Sequence, residues 1–201
     1  VIVPGSGGKD SSYVANILKE KYGMNPLCIT CAPFSYTDVG LKNLNNFIDS
    51  GFNNIVFFPR TDVHSRLAKT AFYVVGDPFL PFIYMQKSRA FRVAKQHNIK
   101  LIFYGENGEA EYGGSTKQRD NPFEDINDVT RTMFKNVGYD ELSNLAVKLG
   151  FIKQNLLTEA VREQYTMPPF EEIMKLNIQM HWMSYYRKWD PQENYFYAAK
   201  Y

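Results

Sequence analysis

Short apolar runs and longer stretches of helical period alternate along the first half of the chain. The unbroken apolar runs predict four buried strands, at residues 1–3, 27–31, 54–58 and 100–104. Between them, apolar side chains recur every three or four positions, which predicts amphipathic helices over residues 9–22, 41–48, 62–72 and 85–97. Gly23 and Gly51 are placed to end the first two helices. This alternation predicts an α/β fold, a parallel sheet with helices on both faces.

The second half of the chain lacks this regularity. A polar, turn-rich stretch is followed by short predicted helices near residues 139–149, 158–164 and 170–174. A last helix is predicted from Asp190, a capping residue followed by Pro191 and then Glu193 at the third helical position. We find no clear strand in this half, so we expect a C-terminal helical extension packed beside the sheet.

These patterns divide the chain into two parts. We predict an α/β domain over residues 1–115 and a mainly helical extension over residues 116–201. The chain begins inside a strand and without Met, so we expect further residues upstream of Val1. The polar stretch at residues 113–123 is a second place where residues could be missing.

Composition and charge narrow the possible functions. The 201 residues carry a net charge of +2, with 44% hydrophobic and 22% charged residues, as in an ordinary globular protein. No polybasic run indicates a nucleic-acid partner, and no apolar stretch is long enough to span a membrane. The low cysteine content and the lack of a recognisable signal peptide favour the cytoplasm.

The two cysteines, Cys28 and Cys31, have the spacing of some metal and redox motifs. Both fall within the predicted strand of residues 27–31, where residues three apart face opposite sides of the sheet. Two thiols also fall short of the four ligands of a structural zinc site. We therefore predict buried, structural cysteines.

A glycine-rich turn joins the first predicted strand to the first predicted helix. Glycines at residues 4–11 (PGSGGKDS) let a ligand approach backbone N–H groups, and the start of the helix adds its partial positive charge. A carboxylate suits an anion site when a divalent metal lies between it and the phosphates, which makes Asp10 a candidate Mg²⁺ ligand. The predicted phosphate-binding residues are Ser6, Gly7, Gly8, Lys9, Asp10 and Ser11.

The spacing excludes two commoner phosphate loops. A Walker A loop would need glycine at Val3 and a hydroxyl residue at Asp10. A dinucleotide fingerprint counted from Gly5 also meets Asp10 where its third glycine belongs. A purely structural turn is the remaining alternative, and we rank it behind a phosphate site because the turn lies at a strand-to-helix junction.

Two other segments reach the same edge of the predicted sheet, since ligands bind at the carboxyl ends of parallel strands. Residues 30–35 follow the second strand and contribute Thr30 and Cys31 as candidate nucleotide contacts. Residues 105–114 (GENGEAEYGG) follow the fourth strand. In that acidic loop we predict Gly105 as a nucleotide contact, Glu106 as a catalytic residue and second Mg²⁺ ligand, and Glu109, Glu111 and Tyr112 as substrate contacts.

The motif SGGKDS at residues 6–11 resembles the PP-loop of the ATP pyrophosphatases, which cut ATP between its α and β phosphates. Together with GENGEAEYGG and with YYRKWDPQEN at residues 185–194, it resembles the N-acetyl sugar amidotransferases. These are PP-loop enzymes of bacterial surface-glycan (lipopolysaccharide O-antigen) and flagellin-sugar (pseudaminic acid) biosynthesis. The resemblance implies a HUP-like PP-loop domain over residues 1–115, with Lys9, Asp10 and Glu106 as its catalytic residues.

The family resemblance also implies a reaction and partners. An N-acetyl group on a sugar, free or nucleotide-linked, becomes an acetamidino group at the expense of ATP and ammonia. Ammonia would come from a separate glutaminase subunit with a cyclase-like subunit, since Cys28 and Cys31 lie on no nucleophile turn. Family members carry a cysteine-rich, zinc-type segment ahead of the loop, so Zn²⁺ binding upstream is left open.

Two other functions compete with this interpretation. A PP-loop tRNA-thiolating enzyme would use Cys28 and Cys31 as a sulfur relay, although the near-neutral charge disfavours an RNA substrate. A non-catalytic nucleotide-binding protein of the same fold is the other alternative, and the Lys9–Asp10 pair argues against it.

The remaining notable residues have mainly structural interpretations. The predicted helix at residues 85–97 is basic and could hold a sugar-nucleotide diphosphate, but a solvated face is favoured for Lys87, Arg89, Arg92 and Lys95. His64, His97 and His181 show no metal-ligand spacing. For Trp182 and Trp189 we favour packing of helix against sheet over a sugar platform.

Overall fold

The computed structural model describes residues 1–105, 121–124, 126, 129 and 134–200. Its strands are β1 (Ile2–Pro4), β2 (Leu27–Cys31), β3 (Asn53–Phe57), β4 (Leu101–Tyr104) and β5 (Gln179–Trp182). Its helices are α1 (Lys9–Tyr22), α2 (Asp38–Asp49), α3 (Thr61–Val75), α4 (Leu80–Gln96), α5 (Tyr139–Lys148), α6 (Glu159–Tyr165), α7 (Phe170–Lys175), α8 (Met183–Tyr186) and α9 (Pro191–Ala198). A 3₁₀ helix at Gln154–Leu156 lies between α5 and α6.

The five strands form one parallel sheet in the order β3-β2-β1-β4-β5. The chain moves outward from β1 to β3 and then crosses back to place β4 on the other side of β1, so that Ile2 lies opposite both Leu27 and Ile102. Such a reversal leaves a crevice between β1 and β4 at their carboxyl ends, which is where open α/β sheets bind ligands.

Helices cover both faces of this sheet, as the alternating pattern predicts. On one face α1, α2 and α9 pack with Val3, and Ile17 and Phe47 are buried among them. On the other face the helices α3 to α6 bury side chains such as Leu67 and Phe91. Each fully buried side chain of this size contributes about 1.5–3 kcal/mol. These two apolar layers fix the strands whose ends form the crevice.

The bounds of α1 and β2 match the predicted ranges 9–22 and 27–31. Gly23 ends α1 in the left-handed region, at φ 62°, and its N–H donates to the Leu18 carbonyl. Cys28 packs with the α1 side of the sheet and Cys31 with the α3–α4 side, which confirms that the two cysteines are buried and face opposite sides. No helix in the described ranges combines the length and the apolar character that crossing a bilayer requires.

The strand β5 shows that the prediction of a C-terminal extension without strands was wrong. Gln179–Trp182 pairs in parallel with β4, with Tyr104 opposite Trp182. The Trp182 N–H donates to the Pro122 carbonyl over 2.9 Å, so β5 has a neighbour on its outer side as well. Residues beyond 116 therefore complete the sheet of the first part. The strand has four residues of mixed polarity and runs directly into α8, so it leaves no periodic pattern.

The last helix begins as predicted. The Asp190 side chain accepts hydrogen bonds from the N–H groups of Gln192 and Glu193, at 3.0 and 3.1 Å, and so caps α9. The helix then packs along α1, where the ring of Tyr197 meets that of Tyr13 edge to face at 5.4 Å. The C-terminal segment is thereby brought close to the start of α1.

Candidate functional site

A cavity of about 200 Å³ opens at the carboxyl ends of β1 and β4. Its position is the crevice that the strand order creates. The predicted turn, the end of β2 and the end of β4 all contribute to its wall. The cavity is lined by Pro4, Gly5, Ser6, Gly8, Asp10, Ser11, Ile29, Cys31, Gln86, Tyr104 and Gly105.

Hydrogen bonds fix the glycine-rich turn to the sheet. The Gly5 N–H donates to the Ile29 carbonyl over 2.9 Å, which continues the pairing of β1 with β2 past the end of the strand. The hydroxyl of Thr30 donates to the Gly5 carbonyl at 2.7 Å. The Thr30 hydroxyl thus helps to hold the turn, and its role as a nucleotide contact stays a prediction. The Ser11 hydroxyl donates to the Gly8 carbonyl at 3.1 Å and closes the turn on the helix side.

The fold leaves no space for larger side chains at two of the glycines. A Cβ on Gly5 would lie 2.1 Å from the Cβ of Ser11. Gly7 has φ +81°, and a Cβ there would lie 2.6 Å from the Asn43 carbonyl oxygen of α2. At Gly8, in contrast, a Cβ would meet only the Ser6 hydroxyl, at 3.9 Å. The wall of the cavity is therefore open beside Gly8.

The first turn of α1 presents unpaired N–H groups toward this region. Gly8 is the N-cap residue and supplies no side-chain acceptor for them. The Ser12 N–H is the first that bonds to a carbonyl of the turn, that of Gly8 at 3.1 Å. The preceding N–H groups have no partner within the helix, and they carry the positive end of its dipole. This arrangement suits an anion.

The Lys9 ammonium and the Asp10 carboxylate pair with each other beside the cavity. The Nζ atom lies 2.7 and 2.5 Å from the two carboxylate oxygens, and both side chains are about one third exposed. Asp10 lines the cavity, whereas Lys9 lines a groove on the other side of the turn with Gly7. The two charges neutralise each other in this state. If an anion and a cation bound together, Lys9 could pair with the anion and Asp10 with the cation.

The side chain of Asp10 fits a role as one Mg²⁺ ligand, since Mg²⁺ takes one or two carboxylates together with phosphate oxygens. Among the described residues no group of three or more His, Cys, Asp or Glu side chains is arranged to hold a metal by itself. Of the described residues, Asp10 would hold the ion together with a ligand's own oxygens. The predicted Glu106, Glu109, Glu111 and Tyr112 lie outside the described residues.

Trp189 packs against the end of β4, where a Cβ on Gly105 would lie 2.7 Å from its ring. The same ring meets that of Tyr13 edge to face at 5.7 Å. Trp182 of β5 is buried in the core, which confirms the packing predicted for it. Trp189 is only partly buried, so its choice between packing and a sugar platform stays a prediction. The small residue at position 105 lets the C-terminal segment pack against the end of β4.

Five residues of the cavity wall were absent from the predicted set, namely Pro4, Gly5, Ile29, Gln86 and Tyr104. Gln86 comes from α4, and its carbonyl accepts a hydrogen bond from the Tyr104 hydroxyl at 3.2 Å. Tyr104 is the last residue of a predicted strand, so its place at the carboxyl edge could have been inferred. Nothing in the sequence marks Gln86, because its position depends on how α4 crosses the sheet.

Both cysteines are poor nucleophiles in this environment. Burial raises the pKa of Cys28 to about 12 and that of Cys31 to about 12. The thiols are therefore neutral at physiological pH, whereas the thiolate is the reactive form. Cys31 nevertheless lies in the cavity wall, where it serves as an apolar surface.

The favoured solvated face holds for Lys95 of α4, which is exposed, but not for Lys87. Lys87 is buried and pairs with Glu124, with Nζ 2.9 and 3.0 Å from the two carboxylate oxygens. Its ammonium also lies over the rings of Tyr104 and Trp182, at 4.4 and 4.9 Å from their centroids. Two further cations of the helix are paired through Arg92–Glu163 and Lys95–Glu172. Three of the four cations of this helix, Lys87, Arg92 and Lys95, are therefore paired with carboxylates of the fold.

Two of the histidines have structural partners. The Nδ1 atom of His64 lies 2.9 Å from the Tyr165 hydroxyl in the core, and burial lowers the pKa of His64 to about 4. His181 lies within hydrogen-bonding distance of Tyr186 and Gln179.

A scan against models of known protein families finds no match for this chain, and neither does a search of curated proteins.

Proposed function

We propose that this protein is a PP-loop ATP pyrophosphatase that acts as an N-acetyl sugar amidotransferase. The observation that carries the proposal is the position of the SGGKDS turn at the reversal of strand order, with unpaired N–H groups at a cavity. The choice of acceptor, an acetamido sugar of a bacterial surface-glycan or flagellin-sugar pathway, depends on the sequence resemblance of residues 105–114 and 185–194. We expect the reaction to take place in the cytoplasm.

In this proposal the turn holds the β and γ phosphates of ATP. The N–H groups at the start of α1 would donate to phosphate oxygens, and the ammonium of Lys9 would leave Asp10 to balance the charge of the departing pyrophosphate. Asp10 would then be free to hold Mg²⁺, which supplies charge neutralisation and orientation of the phosphates. Gly8 leaves the space that the phosphates need.

The chemistry proceeds by activation of an amide oxygen. The acetamido oxygen attacks the α phosphorus, an O–P bond forms, and the bond from that phosphorus to the pyrophosphate oxygen breaks. Ammonia then adds to the activated carbon and loses a proton, and AMP departs with the former amide oxygen. The product is an acetamidino sugar. The protein contributes by holding the two reactants in register and by stabilising the leaving pyrophosphate.

The ammonia in this scheme comes from a partner. A glutaminase of the cysteine type needs a reactive thiolate, and burial raises the pKa of both cysteines of this chain to about 12. We propose a separate glutaminase subunit with a cyclase-like subunit, similar to the pair in histidine biosynthesis. The same buried thiols disfavour a tRNA-thiolating enzyme, because a sulfur relay also requires thiolates.

The proposal is tested by the products that form from ATP, an acetamido sugar and ammonium ions. We expect AMP and pyrophosphate in equal amounts, together with a sugar product that carries the amidine. The variant Asp10→Asn should lose at least about a hundredfold in rate, since removal of a single transition-state contact commonly costs that much. Lys95→Gln, which changes an exposed ion pair of α4, serves as the control and should retain activity. Formation of ADP and phosphate would contradict the mechanism.

A further inference from the structure

Arg89 occupies an unusual place at the carboxyl end of the sheet. It lies on α4 one turn beyond Gln86, a residue of the cavity wall. Its guanidinium stacks over the ring of Phe57, 4.6 Å from the centroid. Phe57 is the last residue of β3 and pairs in register with Cys31, which also lines the cavity. The guanidinium therefore lies near the carboxyl ends of β2 and β3.

Polar atoms around Cys31 are buried and lack partners. Among the described residues, neither the Nε atom of Arg89 nor the hydroxyl of Tyr36 has a hydrogen-bond partner. Both groups interact electrostatically with the Cys31 thiol, and burial lowers the pKa of Arg89 and raises the pKa of Tyr36. Cys31 is itself a neutral thiol, so it does not balance the charge of the arginine. A buried donor without an acceptor costs about 1–3 kcal/mol.

Arg89 differs in this respect from the other cations of its helix. Lys87, Arg92 and Lys95 each pair with a carboxylate of the fold. Arg92 also donates to the Thr166 carbonyl over 2.8 Å. Glu163 influences Arg89 electrostatically, but its ion pair is with Arg92. Other groups that face Arg89, the thiol of Cys31 and the hydroxyl of Tyr165, carry no charge at neutral pH.

We propose that Arg89 and Tyr36 form a second anion site, separate from the glycine-rich turn, that binds an oxyanion group of the acceptor substrate. The anion site itself does not depend on the proposed function. Only the statement that its ligand is the acceptor substrate rests on that function. Both side chains offer donors, so they fit a group rich in acceptors. A guanidinium held flat on a ring presents its N–H groups in a fixed plane, which suits a carboxylate or a phosphate. The acceptor would thus carry a negative charge in addition to the group that reacts.

The experiment separates the two anion sites by filling the turn first. The full chain is saturated with pyrophosphate and Mg²⁺, and then sulfate or acetate is titrated while heat of binding and melting temperature are followed. We expect saturable binding of one of these probes to the wild-type protein. Preference for sulfate would indicate a phosphate on the natural acceptor, and preference for acetate would indicate a carboxylate.

Three variants test the assignment. Arg89→Gln and Tyr36→Phe should weaken binding of the second anion, Arg89→Gln by about tenfold or more, because a hydrogen bond to a charged group is lost. Neither should change the affinity for pyrophosphate. Arg92→Gln is the matched control, because it removes a guanidinium one turn along the same helix. It should lower the melting temperature but leave the affinity for the second anion unchanged. A cooperative melting transition of Arg89→Gln is the check that this variant is folded when its binding is measured.

Two results would overturn the second site. One is the absence of saturable sulfate or acetate binding by the wild-type protein, and the other is equal binding by the wild type and Arg89→Gln. Failure of pyrophosphate to bind would count against the proposed function alone. In that case the same titration without pyrophosphate still tests Arg89.

Discussion

The glycine-rich turn supplies a pair of neighbouring substitutions with opposite expected effects. Gly7→Ala forces a side chain onto a backbone at φ +81° and places a Cβ 2.6 Å from the Asn43 carbonyl oxygen. The left-handed conformation costs about 1–2 kcal/mol. Relief of the contact costs about 1–3 kcal/mol more, because the obstacle is the backbone of α2 and not a flexible side chain. We therefore expect a loss of about 2–5 kcal/mol in unfolding free energy, or roughly 4–20 °C in melting temperature.

Gly8→Ser should leave the fold intact and damage the site. Gly8 has φ −72° and ψ 168°, which any residue adopts, and a Cβ there meets only the Ser6 hydroxyl at 3.9 Å. Serine is also a better N-cap than glycine, so we expect unfolding free energy to stay equal or to rise by up to about 0.5 kcal/mol. The new hydroxyl would bond an N–H group of the first turn and its Cβ would narrow the cavity. Pyrophosphate affinity should therefore fall by about tenfold or more, at roughly 1.4 kcal/mol per factor of ten.

The assay is urea unfolding of each variant together with calorimetric titration of pyrophosphate and Mg²⁺. Stability and binding should separate, with Gly7→Ala defective mainly in the first and Gly8→Ser only in the second. Undiminished pyrophosphate binding by Gly8→Ser would refute the argument that the open space beside this residue receives phosphate.

Three further predictions concern buried groups away from the turn. Lys87→Met removes the ammonium that pairs with the buried Glu124 carboxylate, and it should lower the free energy of unfolding in urea by about 3–5 kcal/mol. Lys95→Met breaks an exposed ion pair and should cost less than about 1 kcal/mol. Equal losses would contradict the burial argument. The pKa of His64 is about 4 in the folded protein and about 6.5 in the unfolded chain. Stability should therefore be highest above pH 6.5 and should fall by up to about 3 kcal/mol as the pH drops toward 4. Unfolding free energy of His64→Gln should depend less on pH over that interval, and an unchanged slope would refute this assignment. Replacement of Cys28 and Cys31 together by alanine should preserve formation of AMP, measured by chromatography, and loss of that activity in a folded variant would favour a sulfur relay.

Local patterns in the sequence predicted the part of the fold that positions the turn. The helical period and the capping glycine predicted α1 through Gly23, and an apolar run predicted β2. The cap at Asp190 likewise follows from the residues that begin the last helix. In each case the physical cause lies within a few residues of the feature.

Features that depend on distant parts of the chain were not predicted. The strand β5 forms because it pairs with β4 and because Met180 and Trp182 pack in the core. Its own four residues show no alternation of apolar and polar side chains that would predict a strand. Gln86 and Arg89 reach the carboxyl edge because α4 crosses the sheet there, whereas on the sequence they are ordinary polar positions of an amphipathic helix. The buried Lys87 was taken for a solvated residue for the same reason, since its partner Glu124 lies 37 positions away.

The claim on which the other proposals depend is that the turn at residues 6–11 binds the end of a nucleoside triphosphate. The most direct measurement is a crystal structure of the full chain with Mg²⁺ and an ATP analogue whose α–β bridge cannot be cleaved. We predict that its β and γ phosphates lie against the N–H groups at the start of α1, with the Lys9 ammonium moved from Asp10 to phosphate oxygens. Phosphates bound elsewhere, with the Lys9–Asp10 pair intact and the turn empty, would contradict the account.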